Sequence, residues 1–141
     1  QDPPFSGRRA IIADRQAEFR HAIGGVLREL GFRVDEFRTA QEAALAARET
    51  QPDVILLDEA LPDMSGTDAA AMLHEDVATC DIPVVLFRSG VNGKALSADM
   101  LFDHVAVLLK PFKVDQLREV CASALRETNE QHVLDEEQVT K

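Results

Sequence analysis

Short apolar runs that stop at a charged residue recur along this chain and alternate with stretches of helical spacing. Arg9-Ala10-Ile11-Ile12-Ala13 stops at Asp14, and Val54-Ile55-Leu56-Leu57 stops at Asp58. Ile82-Pro83-Val84-Val85-Leu86-Phe87 is a further run, and Val105-Ala106-Val107-Leu108-Leu109 stops at Lys110-Pro111. Runs apolar at consecutive positions predict strands buried on both faces. Pro83 is tolerated because the first residues of a strand need not donate to the ladder. Residues 32–37 alternate Phe32 and Val34 against Arg33 and Asp35, which suits an outer strand.

Between the runs the period changes. In 15–30, Phe19, Ile23, Val26, Leu27 and Leu30 fall on one stripe, and Gly31 is the stop. Thr39-Ala40-Gln41-Glu42 reads as a capping box opening a helix of small residues to about Thr50, the simplest use of which is tight packing on a sheet. Gln51-Pro52-Asp53 is a break. A third helix is expected over 67–74, and the signal over 95–102 is weaker. Val114, Leu117, Val120, Cys121, Ala124 and Leu125 mark the last helix. Five strand–helix alternations predict a parallel sheet with helices on both faces and right-handed connections. In the order 2-1-3-4-5 the first and third strands are central. Asp14 and Asp58 then face each other where ligands bind in open α/β sheets, and Lys110 arrives from the fifth strand.

The 141 residues suffice for one domain with a proper core, expected over 9–127. Residues 1–8 read as a disordered lead-in, and 128–141 as an acidic tail, a frayed helix end or a linker. A net charge of −10 argues against nucleic acid as a direct partner and favours basic partner surfaces. No apolar stretch approaches the ~20 residues of a membrane span, and the polar, Pro-rich start does not resemble a signal peptide. Cys80 and Cys121 have no metal-ligand spacing and are expected to be two buried free thiols, as in a cytoplasmic protein. His21, His74, His104 and His132 are scattered and read as structural or exposed.

Three strand-end motifs carry a resemblance: Ile12-Ala13-Asp14, then Leu56-Leu57-Asp58 with Leu61-Pro62-Asp63-Met64-Ser65-Gly66, then Leu109-Lys110-Pro111-Phe112. Each alone is weak, but at this spacing the chain from about Arg9 to Arg126 resembles a response-regulator receiver domain of two-component signalling. The resemblance implies a flavodoxin-like (βα)5 fold and a cytoplasmic signalling module rather than an enzyme. It also implies that Asp58 accepts a phosphoryl group from a sensor histidine kinase or a histidine phosphotransfer protein. Lys110 would neutralise phosphoryl charge, and Asp14, Asp58 and the Ala60 backbone carbonyl would hold Mg²⁺. Output-domain or homodimer contacts would use the fourth and fifth β/α faces.

The chain departs from that pattern. Arg15 stands where a second acidic residue is usual, Arg88 where a hydroxyl is usual, with Ser89 next to it, and Val107 where an aromatic is usual. A one-residue slip would bring Ser89 to the site but would exchange the faces of the strand. Asp14 and Asp58 give −2 while Arg15 and Lys110 give +2, so Mg²⁺ is expected to bind weakly or not at all. Arg15 or Arg88 is expected to occupy the metal's space through paired hydrogen bonds to a carboxylate.

Blander readings compete: Asp14 as a helix N-cap, Lys110 as a surface lysine, Arg15 and Arg88 as solvated, Glu59 at the pocket rim, and Ser89–Gly93 as a loop without a phosphate-binding pattern. A pseudo-receiver, binding proteins or dimerising without phosphate, is the alternative function. A flavin-binding flavodoxin or an aspartate-dependent phosphatase is a third. Asp14-Arg15-Gln16-Ala17 lacks the residues to cradle a flavin phosphate, and Ala60 breaks the paired-aspartate phosphatase pattern.

Overall fold

A computed structural model describes residues 3–89 and 104–139, with side chains as far as Arg126. Its elements are β1 (Arg9–Ala13), α1 (Ala17–Glu29), β2 (Arg33–Phe37), α2 (Ala40–Thr50), β3 (Val54–Asp58), α3 (Gly66–Glu75), β4 (Val84–Ser89), β5 (Val105–Lys110) and α4 (Val114–Val139). The five strands are parallel in the order β2-β1-β3-β4-β5. The expected sheet order is therefore the observed one. The weak helical signal at 95–102 and the loop residues 90–93 lie outside the described residues.

Strand alternation sorts the core into two layers. Ile12, Leu56, Val85, Phe87 and Leu108 pack with Leu27 of α1 and with Leu117, Cys121 and Leu125 of α4. Ile11, Ile55, Leu57, Val84 and Leu86 pack with Ala40, Ala43 and Ala47 of α2 and Ala69, Ala70 and Leu73 of α3. The small side chains of α2 face the interior as their spacing predicts. Asp14 and Asp58 continue the rows of Ile12 and Leu56, and Lys110 continues the row of Leu108. All three belong to the α1/α4 side at the carboxyl edge of the sheet.

Local chemistry sets the helix ends. Thr39 caps α2: its hydroxyl oxygen accepts from the Glu42 N–H at 3.2 Å and donates to Glu42 Oε1 at 2.9 Å. Ser65 caps α3, accepting from the Asp68 N–H at 3.0 Å. Gly66 opens α3 because the chain there lies against β3, where a Cβ would come within 2.5 Å of the Asp58 carbonyl oxygen.

The structure corrects several expectations. The lead-in is folded from Pro3 onward: Phe5 is buried and stacks on Phe32 with ring centroids 4.7 Å apart, and its N–H donates to the Leu30 carbonyl. Gly31, at φ +110°, makes this possible, since a Cβ there would meet the Ser6 nitrogen at 2.6 Å. Of the readings open for 128–141, the structure takes the helix end: the backbone of α4 continues to Val139, and the acidic segment contains no Gly or Pro to stop it. Cys121 is buried as expected, whereas Cys80 is only half-buried. No described helix is long and apolar enough to cross a membrane.

Candidate functional site at the carboxyl edge of the sheet

Asp58 is the last residue of β3, held between β1 and β4. Its Oδ2 accepts from the Ala60 N–H at 3.1 Å, and its Oδ1 lies 2.6 Å from Lys110 Nζ. Asp14 directly follows β1 and is fully excluded from solvent. Its Oδ1 accepts from the Gln16 N–H at 2.8 Å, and its Oδ2 lies 3.5 Å from Lys110 Nζ. One oxygen thus turns the chain toward α1 while the other faces the site. Asp14 is not the N-cap, which is Gln16.

The Lys110 ammonium bridges both carboxylates and lies 4.0 Å from the centre of the Phe19 ring. Phe19 belongs to the α1 stripe that reads as core in the sequence, and its place on the first turn carries it to the strand ends. Cation–π attraction fixes a charge that water alone would leave mobile. Burial, and then the like charge of Asp58, push the Asp14 carboxyl above its ordinary range, against the Gln16 N–H and Lys110, which lower it.

Asp58 and Lys110 line a cleft of about 550 Å³ with Arg15, Gln16, Glu59, Ala60, Phe87 and Ser89. Ser89 is opposite Lys110 in the β4–β5 register, on the same side as Phe87, so it reaches the cleft without any slip. Arg88 turns to the other face. Its Nε lies 3.3 Å from Glu59 Oε2, and its Nη2 donates to Thr67 Oγ1 at 2.8 Å.

The expectation that Arg15 or Arg88 fills a metal's space fails on this geometry. Arg15 is exposed at the rim, Arg88 is paired on the α3 side, and Lys110 is the cation between the carboxylates. Thr67 escapes a motif-based reading because it contacts the cluster only through the fold.

Residues 10–122 match the response regulator receiver domain family. The chain belongs to that family. It is 30% identical over 128 residues to the phosphate regulon transcriptional regulatory protein PhoB of Pseudomonas aeruginosa, a match covering 86% of this chain and 53% of that protein. The DNA-binding response regulator MtrA of Mycolicibacterium paratuberculosis is 27% identical, with 88% of this chain and 54% of that protein covered. The chain thus spans about half the length of these curated relatives.

Among solved structures, the receiver domain of the sensor histidine kinase PA1611 from Pseudomonas aeruginosa, with a magnesium ion coordinated in its active-site cleft, superposes with a TM-score of 0.74. That pair is 21% identical over 85% of this chain and 98% of the other. A CheY-like receiver domain from Methylobacillus flagellatus gives 0.71 at 24% identity, over 83% of this chain and 98% of the other. The chain is thus a receiver domain of two-component signalling, and the flavodoxin and phosphatase readings are not favoured.

Proposed function

We propose that this receiver domain works as a phosphoacceptor, with Asp58 taking a phosphoryl group from the phosphohistidine of a sensor kinase or a phosphotransfer protein. A carboxylate oxygen of Asp58 attacks phosphorus. The P–N bond breaks, the imidazole nitrogen keeps the electron pair and takes up a proton, and an acyl phosphate results. The protein's share is positioning and charge neutralisation on three phosphoryl oxygens. The contact that carries this reading is the Lys110 ammonium at 2.6 Å from Asp58, already where the incoming charge would gather. Ser89 and the Ala60 N–H line the same cleft as further donors.

The donor set also suits a hard divalent cation, since Asp14 is a fully buried carboxylate facing a second one. Mg²⁺ would be held by Asp14, Asp58 and the Ala60 carbonyl, and when bound it would supply further neutralisation of phosphoryl charge. Among the described residues no group of three or more acidic, His or Cys side chains converges to hold a metal, and Lys110 already contacts both carboxylates. Weak binding is the consequence.

The phosphoryl group would bias a protein-binding face formed by β4, β5 and the neighbouring helices, toward an output domain or a second copy. Such a switch needs two states separated by only a few kcal/mol. Intact-mass measurement after incubation with phosphoramidate and Mg²⁺ tests the proposal. Addition of one phosphoryl group, abolished by Asp58→Asn, supports it. No addition at saturating donor overturns it in favour of a phosphate-independent binding module.

A further inference from the structure

Outside the acceptor triad, one polar cluster is unusually closed on itself. Arg88 leaves β4 on the side opposite Asp58, and its guanidinium is held by Glu59 at 3.3 Å and by Thr67 at 2.8 Å. The Thr67 hydroxyl also lies 2.8 Å from Glu59 Oε2 and 3.0 Å from Oε1. The Arg88 side chain is only 14% exposed, against 33% for Glu59. Its Nη1 is buried and has no hydrogen-bond partner among the described residues. A buried guanidinium with an unused donor is costly, because the donor has lost water and gained nothing.

The cluster is next to the acceptor. Glu59 follows Asp58 in the chain, lines its cleft, and donates its N–H to the Phe87 carbonyl at 2.9 Å. Arg88 is the next residue along β4. The Glu59 carboxylate therefore joins the guanidinium to the cleft. An added phosphoryl group would set a new anion beside Glu59, repelling that carboxylate and competing for its cation. A guanidinium pairs with phosphate oxygens through two parallel hydrogen bonds and binds them more strongly than neutral acceptors.

We infer that Arg88 is a phosphate-exchange latch: paired with Glu59 and Thr67 in the resting protein, it transfers to the phosphoryl oxygens when Asp58 is modified, and the spare Nη1 finds its partner there. The transfer breaks the tie between β4 and the first turn of α3, so the state of Asp58 is passed to the Thr67 end of that helix. Arg88 then adds a charged donor to those of Lys110 and Ser89, by exchanging ion-pair partners. This inference rests on Asp58 being the acceptor, as proposed above.

The test uses the unsubstituted chain labelled with nitrogen-15 arginine. The Arg88 Nε–H resonance, assigned by its absence in Arg88→Lys, is expected to move when phosphoramidate and Mg²⁺ phosphorylate the protein. Arg88→Ala is expected to slow phosphorylation roughly tenfold or more, as loss of a donor to a charged transition state does. Should Arg88→Ala fail to fold, the resonance in the unsubstituted chain still decides. A fully phosphorylated protein with an unmoved Arg88 resonance overturns the latch and leaves Asp58 as acceptor. So does a folded Arg88→Ala variant that phosphorylates at the unsubstituted rate. No phosphoryl group in the intact mass overturns both.

Discussion

Lys110 Nζ lies 2.6 Å from Asp58 Oδ1, although 52 positions separate the two residues along the chain. The contact spans from β3 across β4 to β5, so it exists only once three strands are in register. Lys110→Met should leave the fold intact, because the ammonium is at the strand end and partly exposed. The same substitution should slow phosphoryl transfer by about a hundredfold, the cost of removing one preorganised partner of a developing charge. Initial rates with phosphoramidate measure this, and an unchanged rate would place the neutralising charge elsewhere.

Asp14 pits stability against function. Its pKa is raised in the folded chain, chiefly by burial and next by Asp58. A raised carboxyl pKa favours the fold below the unfolded value, near 3.8, and that favour is lost as pH rises through the higher native value. At neutral pH the ionised group is thus a cost. Asp14→Asn keeps an acceptor for the Gln16 N–H and should stabilise the protein by about 0.5–2 kcal/mol at pH 7. The gain should shrink as pH falls toward the unfolded value. Thermal melts across pH check the sign. A destabilised variant at pH 7 would mean that the Lys110 contact outweighs the burial cost.

Asp63 behaves in the opposite sense. Although desolvation raises its pKa, the Ala40 and Gln41 N–H groups at the start of α2, both at 2.9 Å, outweigh it and hold the carboxyl below its ordinary range. The stabilisation is present above the unfolded value and is lost as pH falls through the lower native one. Asp63→Ala should cost about 0.5–1 kcal/mol near neutral pH, the weight of an exposed helix-terminal cap. Denaturant titrations at pH 7 and at a pH below the carboxylate range should show the difference disappearing.

The two thiols should separate by reactivity. Burial pushes the Cys121 thiol up to about 12, whereas Cys80 is half-buried, its Sγ 3.5 Å from the Val77 carbonyl oxygen. One thiol should react with a maleimide in the native protein, and the second only after denaturation. Rapid native labelling of Cys121 would show that α4 opens from the sheet.

The sheet order and the meeting of Asp14, Asp58 and Lys110 were readable because each rests on a local signal. Apolar runs ending at Asp14, Asp58 and Lys110 fix both the strands and which residues stand at their ends. What escaped depends on long-range packing. Phe5 lies in a Pro-rich polar opening, and the positive φ of Gly31 lets it reach the Phe32 ring. Arg88 could be placed in β4, but the identity of its partner is set by where α3 begins. That neither Arg15 nor Arg88 enters the space beside the carboxylates likewise follows from side-chain reach, which spacing does not encode.

Whether Asp58 is the acceptor is decided by locating the phosphoryl group on the chain. After phosphoramidate and Mg²⁺ treatment, borohydride reduction of any acyl phosphate followed by peptide mass mapping should find the modified residue at position 58. A label at Asp14, at Glu59 or at another residue, or an unmodified Asp58 at saturating donor, would contradict it.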